Sequence, residues 1–155
     1  THVLPGHQRL AHKDGLACVL VSNGMACAPV IRELRGLIDA ANIDLKGCGQ
    51  AFYDACGGDY ECVRATIAAL ADDPACHLEV TTLVVPSMND RDEDINELAA
   101  WLAGVDPDIT YHLTRFFPCH RMSESTGARP TRVQTVYHMA NVARRYLPHV
   151  RTGNC

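Results

Sequence analysis

No stretch of eighteen or more apolar residues occurs in this 155-residue chain, and the best apolar run, Leu83-Val84-Val85 with its neighbours, is only strand-sized. A membrane-spanning helix is therefore not expected. Nor does the chain open with a charged segment followed by an apolar one, as an export signal would. A basic excess is missing too: Lys plus Arg number 14 and Asp plus Glu 18, a net charge of -4. Composition thus gives no reason to expect nucleic acid or an anionic membrane surface as a partner. The eight cysteines, at 18, 27, 48, 56, 62, 76, 119 and 155, never stand two or three residues apart. That spacing excludes a zinc ribbon or an iron–sulfur ligand run within the segment, and no metal ligands are expected in it. An even cysteine count can signal a disulfide framework. In a chain of this size without an export signal, reduced thiols in a cytoplasmic protein are the better expectation, most of them small packing residues.

What is present suits one globular domain, residues 1–155, with 47% apolar and 21% charged residues and enough apolar mass for a core. Strand-like runs alternate with helical patterns. A first helix around Gln8 to Lys13 stops near Gly15, and a strand covers Leu16 to Val21 before Ser22-Asn23-Gly24. Pro29 suits a first helical position, with Val30, Leu34, Leu37 and Ile38 at helical spacing behind it. Ala41 to Leu45 reads as a short strand, and Asp59, after Gly57-Gly58, reads as the N-cap of a helix striped by Val63, Ile67 and Leu70. Leu78 to Val85 is the clearest strand. Asp90 with Glu93 resembles a capping box ahead of Ile95, Leu98 and Leu102. Ile109 to Arg115 is a further strand, and Val133 to Leu147 a long final helix. Strand-then-helix repetition predicts a parallel sheet with helices outside, open or part of a barrel.

Sites in parallel α/β folds lie beyond the carboxyl ends of the strands, and here those ends are polar: Ser22 and Asn23, Asp44 and Lys46, Asn89 and Asp90, Arg115 and His120. Period-two geometry sends Asn42, Asp44 and Lys46 to one face of their strand and Ala41, Ile43 and Leu45 to the other. Glu79 and Thr81 alternate likewise, as do His112 and Thr114. On spacing alone, Asp44 and Lys46 are either an ion pair at a strand end or part of a site, and His120 is either a surface loop histidine or a site residue. The acidic run Asp90, Asp92, Glu93, Asp94 and Glu97 is better explained as a helix amino terminus than as a metal site. The last quarter is locally basic, with seven Arg from Arg115 to Arg151 against one Glu.

The ordered strand-end segments carry a resemblance. The run Ala41-Asn42-Ile43-Asp44-Leu45-Lys46-Gly47, then Phe52-Tyr53 and Cys56-Gly57-Gly58, resembles radical S-adenosylmethionine (SAM) enzymes of the AmmeMemoRadiSam group, relatives of pyruvate formate-lyase activating enzyme. Val21-Ser22-Asn23-Gly24, Glu79 to Pro86 with Asn89-Asp90, His112 to Pro118 and Thr152-Gly153-Asn154 extend it over nearly the whole chain. The resemblance implies a partial (β/α) TIM-like barrel with parallel strands, in which SAM lies across the carboxyl ends of the strands. In that family a reduced [4Fe-4S] cluster, held by a C-x3-C-x2-C loop, cleaves SAM to a 5′-deoxyadenosyl radical that abstracts hydrogen from a substrate, a glycyl residue for the activating enzymes, or another protein or small molecule. An electron donor such as flavodoxin or ferredoxin is the further implied partner.

By motif position the resemblance assigns SAM contacts to Ser22, Asn23, Asp44, Lys46, Thr81 and His120, with Asp44 and Lys46 nearest the chemistry. Thr81 stands where the activating enzymes carry Arg, and Pro118-Cys119-His120-Arg121-Met122 where they carry Pro-Tyr-His-Lys-Met. The cluster loop and the following Gly-Gly-Glu turn have no counterpart in the chain. Together with the non-Met start, that implies a carboxyl-terminal part of the barrel, its first strands and cluster ligands upstream of Thr1. Two other functions use the same residues: a Schiff-base, aldolase-like barrel with Lys46 as nucleophile, and a non-catalytic barrel remnant that only binds.

Overall fold

The computed structural model describes residues 3–26, 28–119 and 128–155. Eleven elements follow in chain order: α1 (Val3–Lys13), β1 (Val19–Ser22), α2 (Ala28–Glu33), β2 (Ala40–Asp44), α3 (Gly49–Cys56), α4 (Tyr60–Ala71), β3 (His77–Val84), α5 (Asp92–Val105), β4 (Thr110–Arg115), α6 (Val133–Ala143) and β5 (Val150–Gly153). The strands form one five-stranded parallel sheet in the order β1-β2-β3-β4-β5. Each crossover therefore steps to the next neighbour in the same direction. That strand order, with no reversal, is the order of a (β/α) barrel rather than of a doubly wound sheet. The expected partial-barrel α/β class is what is observed.

The chain divides into two compact units, the first Thr1–Leu45 with Gly49–Val80, the second Lys46–Cys48 with Thr81–Cys155. In the first, Ile43, Tyr53, Val63, Ile67 and Val80 are buried. Helix α4 forms because the Asp59 carboxylate accepts the Cys62 N–H at 2.7 Å, satisfying one orphan donor of its first turn, and because its stripe faces this core. Polar contacts at its edges add to this core, one exposed pair and one to the buried Asp73 carboxylate. Arg35 Nη1 meets Asp72 Oδ2 at 2.8 Å, and Gly36 N–H donates to Asp73 Oδ2 at 2.7 Å. Cys18 N–H and then the His12 ring hold the Asp39 carboxyl below the usual carboxylate range.

In the second unit Leu98, Leu102, Tyr111, Leu113, Val136 and Ala140 are buried. Strands β4 and β5 pair in the register Tyr111↔Val150 and Thr114↔Gly153. A Cβ at Gly153 would lie 3.0 Å from Thr114 Cγ2, which is why glycine suits this pairing.

Several local expectations are corrected. The first strand begins at Val19, not Leu16, and leaves Cys18 just outside it. Helix α2 stops at Glu33; the later apolar residues Leu34 and Ile38 are buried through tighter turns around Gly36, whose φ is +69°. Asp90 does not cap α5. Its carboxylate accepts the Ser87 N–H at 2.8 Å, while Arg91 is the N-cap residue and makes no side-chain cap bond. The acidic first turn, Asp92, Glu93 and Asp94, is as expected for a helix amino terminus. Helix α6 ends at Ala143, with Leu147 buried in the turn beyond it.

Candidate functional site

In the first unit, alternation along β2 is as the pattern requires: Ala41, Ile43 and Leu45 are buried, Asn42 and Asp44 half-buried on the face away from the core. The register Ser22↔Ile43 sets Ser22 beside the carboxyl end of β2, so Ser22 and Asp44 stand on adjacent strand ends. The turn that follows β1 is shaped by its own side chains. Ser22 Oγ accepts the Gly24 N–H at 3.2 Å, and Asn23 Oδ1 accepts the Met25 N–H at 3.1 Å. Both side chains keep donors, the Ser22 hydroxyl proton and the Asn23 amide group. Gly24 is buried with φ +74°, and a Cβ there would sit 2.9 Å from Ile43 Cγ2 and 3.0 Å from Val63 Cγ1. Only glycine lets the strand-end turn close against the core here.

In the second unit the strand ends are fixed by buried side chains. Asn89, 1% exposed, donates through Nδ2 to Lys46 O at 2.7 Å and Leu83 O at 2.9 Å, and accepts the Val85 N–H on Oδ1 at 2.7 Å. It therefore sets the backbone that carries Lys46. Thr131, also 1% exposed, donates to Val84 O at 2.6 Å, and Arg115 Nε donates to Thr131 O at 2.6 Å. Thr81 and Lys46 are half-buried, whereas Thr82 turns inward and accepts the Tyr111 hydroxyl at 2.8 Å. A cavity of about 390 Å³ adjoins this network, lined by Pro86, Asp90, Arg129, Thr131, Arg132 and Thr135 among others. Arg129, Arg132 and the α6 amino terminus bring positive charge to its lining and Asp90 negative charge.

Of the residues assigned from sequence, Ser22, Asn23 and Asp44 thus belong to the first unit and Lys46 and Thr81 to the second. His120 lies outside the described residues. Sequence reasoning missed the tether role of Asn89 and the cavity around Thr131. The surplus of arginine in the last quarter was the available signal for the cavity. None of the described cysteines is disulfide-bonded. Burial and then the charges of Glu97 and Asp94 push the Cys48 thiol up to about 12, and it donates to Asp94 O at 3.0 Å, so it is no nucleophile at neutral pH.

No family model matches the chain. It is 29% identical over 147 residues to an uncharacterized protein of Methanocaldococcus jannaschii, a match covering 94% of this chain and 42% of that protein. The chain therefore spans less than half the length of this curated relative. Its fold is similar to the crystal structure of a domain of pyruvate-formate lyase-activating enzyme from Bacteroides vulgatus, with a TM-score of 0.80 and 16% identity over 99% of this chain and 91% of that one.

Proposed function

We propose that this chain is the carboxyl-terminal part of a radical SAM enzyme of the activating-enzyme kind, within the AmmeMemoRadiSam group. The likeness in fold to the activating-enzyme domain over 99% of the chain carries the proposal. Polar residues at the carboxyl ends of the strands support it, because that is where ligands of parallel α/β folds bind. So does the exposure of Val19 and Val21, 67% and 77%, on edge strand β1, an apolar surface suited to further upstream strands.

A reduced cluster would have no ligands here, since the cysteines lack the required spacing. On this reading its ligands lie in the part of the barrel upstream of Thr1. SAM fits the donor set better. When bound it supplies a reductively cleavable sulfonium and a hydrogen-abstracting radical. Asp44 accepts hydrogen bonds from its ammonium or ribose, and Ser22 and Asn23 offer donors. Lys46 and Thr81 are the further proposed contacts, Lys46 as a positive charge for a carboxylate, together with His120. The substrate is a protein or small molecule, the electron donor a flavodoxin or ferredoxin, and the compartment the cytoplasm.

Calorimetric titration with SAM tests the chain itself. Binding is expected, and Asp44→Ala should weaken it at least about tenfold, roughly 1.4 kcal/mol. Equal affinity in the variant removes Asp44 from the site. For the chemistry, the coding sequence upstream of Thr1 should encode C-x3-C-x2-C, and the extended protein, reconstituted with iron without air, should release 5′-deoxyadenosine. Absence of that cysteine loop overturns the radical mechanism.

A further inference from the structure

At the opposite, amino-terminal ends of the strands, the first unit gathers three unlike donors. Strands β1 and β2 pair with Val19 opposite Ala40, so the residues just before them, Cys18 and Asp39, stand side by side. The Cys18 N–H donates to Asp39 Oδ2 at 2.6 Å. Helix α1 brings His12, in its last turn, to the same oxygen, with Nε2 2.8 Å away. The Cys18 sulfur, the His12 ring nitrogen and the Asp39 carboxylate all lie within 4.8 Å of one another, each side chain at least partly accessible. Around a tetrahedral zinc ion, ligand atoms at about 2.0–2.3 Å from the metal stand roughly 3–4 Å apart. Small side-chain rotations would close the set.

We propose that His12, Cys18 and Asp39 bind a divalent transition-metal ion, Zn²⁺ by preference, at the amino-terminal edge of the sheet. Mixed nitrogen, sulfur and oxygen donors match a borderline ion; Mg²⁺ and Ca²⁺ take oxygen alone. His12 would bind through a ring nitrogen with its N–H on the other nitrogen, and Cys18 as the thiolate, so binding releases the thiol proton. Three protein ligands leave the fourth position to water. One helical turn before His12, on the same face of α1, Gln8 keeps its side-chain Oε1 buried with no hydrogen-bond partner among the described residues, and the Cys18 thiol points to the Gln8 carbonyl at 3.9 Å. A metal-bound water on that side would offer this oxygen a donor. The ion would fasten α1, the segment after it and the start of β2 together, at the end of the strands away from Asp44. Its role is structural and independent of the function proposed above.

Cobalt substitution tests the site. The metal-free purified chain should take up one equivalent of Co²⁺ with a thiolate charge-transfer band and the intense d–d bands of a tetrahedral complex. Zn²⁺ should displace it and raise the melting temperature. Cys18→Ser keeps the size of the side chain and the backbone N–H to Asp39, so it should fold as the parent does by circular dichroism. It should lose the charge-transfer band and the Zn²⁺-dependent rise, and His12→Gln should weaken binding at least about tenfold. Cys62→Ser should bind as the parent does. A pale octahedral cobalt spectrum in the parent chain, or a charge-transfer band persisting in Cys18→Ser, overturns the proposal.

Discussion

Asn89 and Thr131 in the second unit each tie backbone groups far apart in sequence, Asn89 to Lys46 across 43 residues and Thr131 to Val84 across 47. In the first unit Ser22 and Asn23, at equivalent strand ends, reach only two residues along the chain. Among these strand-end side chains exposure follows the same division, although the first unit buries Thr66 and Asp73 elsewhere. Asn89, Thr131 and Thr82 are buried, whereas Asn23 is exposed and Asp44 half-buried. A buried polar group whose partner is removed leaves the remaining donor or acceptor without water to replace it, but an exposed one rehydrates. The second unit therefore depends on individual polar side chains for the shape of its strand ends. In the first, close packing of the turn at Gly24 is joined by Thr66 Oγ1, which donates to Ala26 O at 3.3 Å.

The largest effect is expected at Asn89. Asn89→Ala removes three hydrogen bonds at once, those to Lys46 O, Leu83 O and the Val85 N–H, all of them part-buried. The cost should be about 3 kcal/mol or more, lowering the melting temperature by roughly 10 °C. Hydrogen-exchange mass spectrometry should show faster exchange first around 46–48 and 83–90. Protection unchanged there would mean that other contacts hold this backbone. Second comes Gly24→Ala in the first unit, where packing rather than hydrogen bonding is at stake. A methyl group 2.9 Å from Ile43 Cγ2, on a residue with φ +74°, should cost about 2 kcal/mol, read as a shift in the urea midpoint. Thr131→Val follows, keeping the shape and deleting the donor to Val84 O. About 1–2 kcal/mol is expected. A neutral result would show that the bonds of the Thr131 backbone, from Arg115 Nε to its carbonyl and from its N–H to Phe116 O, suffice alone.

The same division explains what could be read in advance. Elements with a full period were legible: α4 and α5 through their stripes, β3 through its length, β2 through its alternation of Ala41, Ile43 and Leu45 against Asn42 and Asp44. Helix α3 was not, since Tyr53 is its one buried residue and a single buried side chain makes no stripe. Strand β5 was missed because its four residues owe their form to pairing with β4, and only Val150 is buried. Asp90 looked like half of a capping box until Ser87, at φ 63°, turned its N–H toward it. At the site, the residue types at the strand ends were legible, but the tether from Asn89 to Lys46 was not, because only the folded chain brings positions 43 apart together. The His12, Cys18 and Asp39 cluster escapes spacing rules for the same reason. Strand register, not a local motif, sets Cys18 beside Asp39.

The smallest effect is expected at Arg35, although on paper its contacts are as short as those of Asn89. Arg35 reaches Asp72 Oδ2 at 2.8 Å and Asp72 O at 2.7 Å, and Asp72 holds its guanidinium above the ordinary arginine value. Yet the two side chains are 53% and 77% exposed. Water takes up each group when the other is removed, and salt screens the pair. Arg35→Ala should therefore move the melting temperature by no more than about 2 °C, and raising the salt concentration should shrink even that difference. A loss as large as that of Asn89→Ala would mean that the surface pairs of the first unit act as its buried tethers, and the contrast between the two units would fail.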